Sequence, residues 1–342
     1  MLAGEETMNK LLVVCGPTAT GKTALAIKLA KRFAGELVNA DSRQVYRGMD
    51  IGTGKDLPAS SKFKVQSSKL GIKREEYQVG YYLISGVPIW LLDVVWPDYR
   101  FSVADYIRVA TPVVKDIWQR KKLPILVGGT GFYLQGLLEG VGTAGIVPDW
   151  SLRNRLEKLT VAQLQEQAGR ISPDRFNRMN QSDQHNPRRL IRAVEVASIG
   201  KENSEFEKAC GLSLLKEQVF WLGLTAPLES LDQKITQRVE KRLELGLKEE
   251  IEKLLKRFDF DHSVLGETIA YRQWREYFQA PLVQRNQILA DVVGRWERAE
   301  RQYARRQITW FKKNKQINWF SVEKMNRLSA VVKEVNRWYI RK

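Results

Sequence analysis

Apolar and polar positions alternate along the chain between short buried runs and longer amphipathic stretches. Leu11 to Cys15 is an uninterrupted apolar run of strand length, and Ala24 to Phe33 carries its apolar residues at helical spacing. Gly35 ends that helix, and Glu36 to Ala40 predicts a second short strand. Val45 to Lys55 contains Gly48, Gly52 and Gly54 and predicts a mobile loop; residues 56–76 are polar and lysine-rich and predict a surface excursion. Tyr77 to Ile84 and Val87 to Val95 are β-prone runs joined by Ser85-Gly86, a hairpin pattern. Val103 to Gln119 has the apolar spacing of a helix, and Leu123 to Thr130 is another buried strand, ending in Gly128, Gly129 and Thr130. Strands alternating with helices in this way predict an α/β core.

From about Ile146 the texture changes. Pro148 to Ser198 shows no strand pattern, is rich in Arg, Gln and Asn, and carries helical patterns around Leu152 to Leu159 and Arg188 to Ala197. Gln218 to Leu224 then returns as a strand. The expected organisation is a P-loop-type parallel sheet core flanked by helices, built from residues 1–145 and 206–342, with a helical insertion at 146–205. Leu231 to Arg257 predicts one long charged helix, with Arg238 and Arg242 at i, i+4 and most charges in solvent. The last long helix is expected over Asp291 to Lys313. There Trp296, Tyr303 and Trp310 recur every seven residues as a core-packing stripe, opposite Arg298, Arg301, Arg305 and Lys312.

Composition adds a partner. Against 39 acidic residues stand 56 Lys and Arg, a net charge of +17, which suits a polyanion such as nucleic acid. No apolar run approaches the ~18 residues of a membrane span. Residues 1–9 lack a signal-peptide core, so a cytoplasmic protein is expected. Cys15 and Cys210 are expected to be reduced and structural, and with His185 and His262 they cannot make a zinc cluster at the usual spacings.

The candidate chemistry lies between the first two strands. Gly16, Pro17, Thr18, Ala19, Thr20, Gly21, Lys22 and Thr23 fit G-x-x-x-x-G-K-[ST], a loop whose backbone N–H groups cradle phosphate oxygens. Lys22 adds a charge on the outer phosphates and Thr23 a hydroxyl for Mg²⁺. Asp41 ends the second strand, at the sheet edge where ligands bind in such folds, as a general base, an Mg²⁺ partner or a helix cap. The strand at 123–127 does not end in the acidic residue that an NTPase uses for Mg²⁺, and Asp93 is a weak substitute. A phosphate-bearing substrate is therefore expected, and a transferase with a polyanionic acceptor accounts for more of the chain than nucleotide hydrolysis. A small-molecule kinase is the alternative.

Taken together the motifs resemble one family, the tRNA dimethylallyltransferases. They are Gly16 to Thr23, Asp41-Ser-Arg-Gln-Val-Tyr46, Gly48 to Thr53, Leu126 to Tyr133, Asn186 to Glu195 and Arg301 to Phe311, in the family's order. The resemblance implies that the loop, with Arg238, holds the diphosphate of dimethylallyl diphosphate in the presence of Mg²⁺. It implies that a prenyl group passes to N6 of the adenosine 3′ of the anticodon, with Asp41 as base and Thr130 as a second catalytic residue; a prenyltransferase acting on free adenine nucleotides is the alternative with a similar core. It further implies tRNA anticodon stem-loop contacts from Asp41, Ser42, Arg43, Gln44, Thr130, Arg153, Arg188, Arg189, Arg192, Tyr271, Arg272, Arg301 and Arg305, in a monomer. The chain departs from the family pattern at Ile89-Trp90, where a histidine pair is common, at Ala270, at Glu300, and in an apparent insertion over 57–86.

Overall fold

The structure is a computed structural model describing residues 9–58, 60–72, 74–143, 146, 148–198, 211–212, 214–323 and 328–340. Cys210, and residues 1–8 of the N-terminal stretch, lie outside those. In chain order the first elements are β1 (Leu11–Cys15), α1 (Lys22–Arg32), β2 (Gly35–Asn39), β3 (Phe63–Val65), β4 (Gly80–Ile84), β5 (Val87–Trp90), α2 (Val103–Gln119), β6 (Leu123–Gly128) and α3 (Gly131–Glu139). Then come α4 (Trp150–Leu156), α5 (Val161–Ile171), α6 (Pro173–Arg178), α7 (Gln181–Gln184) and α8 (Pro187–Ser198). The chain closes with β7 (Val219–Thr225), α9 (Leu228–Glu244), α10 (Leu247–Leu255), α11 (Ile269–Arg272), α12 (Arg275–Gln279), α13 (Leu282–Phe311), β8 (Asn318–Ser321) and α14 (Leu328–Tyr339). Two compact units result: Met1–Leu138 with Ser213–Lys342, and Glu139–Leu212.

The larger unit holds an eight-stranded sheet in the order β3-β4-β5-β2-β6-β1-β7-β8. From β5 to β8 all neighbours are parallel, with Val13 opposite Leu126 on one side and Trp221 on the other. A central parallel strand is covered on both faces, so β1 and β2 are buried at every residue. On one face Leu12, Val14, Leu37 and Ile125 pack with Leu25 and Leu29 of α1 and with Val331 and Val335 of α14. α2, whose bounds match the apolar spacing, is capped by Ser102, which accepts from the Asp105 N–H, and it packs against β2 and β6. Among the described residues no helix is long and apolar enough to cross a membrane.

Four expectations change. The polar 56–76 stretch contributes an edge strand, Phe63–Val65, whose Phe63 ring lies 5.0 Å from Tyr82. The long helix of 231–257 is two helices, because Gly246 turns into the left-handed region at φ 93°. α13 begins nine residues earlier than its periodicity indicated, directly after Pro281, since its first turns lie in solvent: Val283 is 82% exposed.

The glycine-rich loop, the fourth case, is tethered. Lys55, with its side chain fully buried, donates to the Tyr46 carbonyl (2.6 Å) and pairs with Asp50 (2.6 Å) and Asp93. Glu250 accepts from the N–H groups of Asp50 (2.8 Å), Ile51 (2.7 Å) and Gly52 (3.0 Å), and from the Tyr271 hydroxyl (2.7 Å).

The smaller unit packs Leu156, Leu164, Ala168, Leu190 and Val194 into its own core. Of the expected 146–205 insertion, residues 146 and 148–198 fall in this unit, and 147 and 199–205 lie outside the described residues.

Candidate functional site

The chain leaves β1 through Gly16 at φ 133°, where any Cβ would run into the Leu224 carbonyl of the neighbouring strand. It re-enters helix through Gly21 at φ 76°, which caps α1. Between them the loop is closed by Thr20, whose hydroxyl donates to the Pro17 carbonyl (2.8 Å). The unpaired N–H groups of the first turn of α1 face the same space, an arrangement suited to an anion. Lys22 donates to the Pro17 carbonyl (2.7 Å), and burial together with the Arg238 charge lowers its pKa to about 8.

A cavity of about 590 Å³ opens over this loop at the carboxyl ends of β2 and β6. Thr18, Ala19, Gly21, Lys22 and Thr23 line it from below, Asp41, Ser42, Arg43 and Gln44 from the end of β2, and Arg238 from α9. Asp41 accepts the Arg43 N–H on Oδ1 (2.9 Å), and no described residue hydrogen-bonds its Oδ2. Arg238 donates to the Thr18 hydroxyl (2.6 Å) and the Gly54 carbonyl (3.3 Å), and burial, reinforced by Arg242, lowers its pKa to about 10. The Gln44 amide donates to the same Gly54 carbonyl (3.0 Å), so the tethered loop forms one wall.

Several expected residues take other places. Thr130 stands one layer behind the lining: its hydroxyl accepts the Ser42 N–H (3.0 Å) and donates to the Ser42 hydroxyl (3.3 Å), and Ser42 does line the cavity. Tyr271 is fully buried, its ring filling the space where Gly52 has no Cβ, so it supports the loop. Arg153 and Arg192 both hold the buried Glu195 carboxylate, Arg153 through two nitrogens (2.8 and 2.6 Å), and Arg192 also donates to the Thr143 carbonyl (2.6 Å). They form the ion-pair centre of the smaller unit, and both side chains remain partly exposed. Arg189 is exposed and paired with Asp183, and Arg188 is exposed. Arg301 donates to Thr236 (2.7 Å) and Glu297 (2.9 Å), and Arg305 pairs with Asp232 (3.0 Å), so part of the basic stripe on α13 is tied to α9. Arg272 is exposed and lines the cavity. Asp93 is occupied by Lys55 and by the Tyr82 hydroxyl (2.6 Å). Trp90, at the Ile89-Trp90 departure, donates to Glu36 (2.8 Å) and is structural.

α13 brings to the cavity two residues that periodicity left unassigned, Glu300 and Gln307, and one that it had assigned to the core, Tyr303. Glu300, Tyr303 and Gln307 fall at i, i+3 and i+7, one helix face, and all three line the cavity. Gln307 accepts the Thr18 N–H (2.8 Å) and donates to the Gly129 carbonyl (2.9 Å), clamping the phosphate loop to the end of β6. Two polar residues interleaved with the Trp296, Tyr303 and Trp310 stripe were the visible signal. Trp296 is core, whereas Tyr303 meets the cavity and Trp310 packs over Gly131.

A family model described as IPP transferase matches residues 44–314, and one described as isopentenyl transferase matches residues 9–68. The chain is 35% identical over 315 residues to a tRNA dimethylallyltransferase of Anoxybacillus flavithermus, covering 92% of this chain and 91% of the relative. It is 31% identical over 345 residues to that of Pelotomaculum thermopropionicum, covering 98% of each. Among solved structures, the tRNA isopentenylpyrophosphate transferase of Bacillus halodurans superposes with a TM-score of 0.64 at 30% identity, over 97% of each chain.

Proposed function

The chain belongs to the IPP transferase family, and from that premise we propose that it transfers a dimethylallyl group from dimethylallyl diphosphate to N6 of the adenosine 3′ of the anticodon in tRNA. The observation that carries this is the convergence of the phosphate loop, Lys22, Arg238 and the Asp41 carboxylate on one cavity.

The exocyclic amine of adenine is a weak nucleophile, so its proton must leave as the new bond forms. Asp41 Oδ2 is the acceptor, while the Arg43 N–H on Oδ1 fixes the carboxylate. The amine nitrogen bonds to the first prenyl carbon as that carbon's bond to the diphosphate oxygen breaks. Charge then grows on the diphosphate, where the N–H cradle, Lys22 and Arg238 stabilise it. Thr130 positions Ser42 beside Asp41.

The donor set fits Mg²⁺. No three His, Cys, Asp or Glu side chains converge among the described residues, while the Thr23 hydroxyl lines the cavity. Mg²⁺ keeps several waters and takes few protein ligands beside substrate phosphates. When bound it would neutralise charge on the leaving diphosphate.

The exposed Arg188, Arg189, Arg272 and Arg305, with the overall +17 charge, support a grip on the stem-loop backbone. A cytoplasmic monomer belongs to the same proposal.

The test incubates the protein with dimethylallyl diphosphate and an anticodon stem-loop, and reads nucleosides by mass spectrometry. N6-dimethylallyladenosine is expected at that position, with AMP a poor acceptor. Asp41→Asn should lower turnover at least about a hundredfold with stem-loop affinity retained; full activity in that variant overturns the role of Asp41.

A further inference from the structure

Arg242 sits one helical turn beyond Arg238 on α9 and is only 6% exposed, yet it lines the cavity. A guanidinium offers five N–H donors. Here Nη1 meets Glu300 Oε1 (3.1 Å), and the buried Nε has no hydrogen-bond partner. Its other end points at Gly54: a Cβ built there would collide with the tips of both Arg242 and Arg238. Two cations thus converge beside the phosphate loop, and the Arg242 charge is among the causes that lower the Arg238 pKa. Glu300 is 9% exposed, and the Trp296 indole N–H donates to the same Oε1 (3.2 Å), fixing the carboxylate. A lone buried ion pair contributes little to stability, and apolar residues of similar volume often serve as well. An anion in the cavity gives the pair a reason to be there.

We propose that Arg242 is a second guanidinium of the diphosphate site, and that Glu300 is the counter-charge that neutralises it while no anion is bound. In the empty site, Glu300 offsets the repulsion between the two arginines. When a diphosphate enters, its oxygens supply the acceptors that Arg242 lacks. This rests on the loop being a diphosphate cradle.

The test is calorimetric titration of the full chain with inorganic pyrophosphate, with the KM for dimethylallyl diphosphate and for a stem-loop measured alongside. The double variant Arg242→Met with Glu300→Gln removes the pair without stranding a buried charge. It should weaken pyrophosphate binding about tenfold, the worth of one charge-assisted contact. The donor KM should rise by a similar factor and the stem-loop KM stay unchanged. Glu300→Gln alone leaves Arg242 charged and should bind pyrophosphate no more weakly than the parent. Should the double variant not fold, Arg242→Lys decides: it keeps the ion pair but loses the second nitrogen, and several-fold weaker binding is expected. Lys22→Ala separates the two levels. If it loses binding while the Arg242 variants stay within twofold of the parent, the pair is structural only and the inference falls. If Lys22→Ala also binds normally, the cradle itself is wrong. If Glu300→Gln weakens binding as much as the double variant, the part assigned to Glu300 is overturned.

Discussion

Gln307→Leu tests whether the phosphate loop is held from α13. Gln307 is 5% exposed and makes two hydrogen bonds across the site, accepting the Thr18 N–H at 2.8 Å and donating to the Gly129 carbonyl at 2.9 Å. Leucine has similar volume and offers neither. Each backbone group left unsatisfied costs about 1–3 kcal/mol, partly offset by added apolar burial, so a net loss of about 2–4 kcal/mol is expected. The functional loss follows from Thr18, whose hydroxyl accepts from Arg238 at 2.6 Å. A loop free to shift at Thr18 loses its register with that guanidinium, and the donor KM should rise about tenfold with stem-loop binding unchanged. Urea unfolding measures the first effect and steady-state kinetics the second. Gln307→Glu is the sharper variant: it keeps an acceptor for the Thr18 N–H but sets a carboxylate oxygen against the Gly129 carbonyl, and should cost at least as much. Stability within about 0.5 kcal/mol of the parent together with an unchanged donor KM would refute the clamp.

Three further outcomes follow from the same geometry. Lys22, lowered to about 8 by burial and then by Arg238, is charged at pH 7 and loses its proton above pH 8. The kcat/KM for the donor should therefore fall above pH 8, and a flat profile to pH 9.5 would count against the role of Lys22. Burial pushes Glu36 up, but hydrogen bonds from Arg120, Lys122 and Trp90 hold it down, to about 2 against an ordinary 4.5. Its contribution, about 3 kcal/mol at most, is present above pH 4.5 and is lost as the pH falls from there towards 2; Glu36→Gln should flatten that part of the acid-stability curve. Glu250→Ala strands three loop N–H groups and the Tyr271 hydroxyl. It should cost about 3–5 kcal/mol and speed amide exchange at Asp50, Ile51 and Gly52 more than in β1; unchanged exchange there would show the loop held by other means.

What the linear pattern determined was local. Apolar runs of strand length, the Gly16 to Thr23 spacing, the Ser85-Gly86 hairpin and the helix at 103–119 could be read directly, because backbone preference and side-chain period act over a few residues. Asp41 could be placed at the strand edge by the same means, though not given one role among three. Tertiary structure decided which side chains meet. Periodicity assigns a residue to a face and does not say what the face touches. For that reason Arg153 and Arg192 are paired with Glu195, Tyr271 props the loop, and Thr130 stands behind Ser42. Gly246 divides what its charged amphipathic pattern suggested was one helix, because its φ of 93° turns the chain. The partnerships at the cavity, Gln307 with Thr18 across 289 positions and Arg242 with Glu300 across 58, join segments with no local relation in sequence. A buried polar group is stable only where its partner is delivered, and the folding of the whole sheet with α9 and α13 is what delivers it.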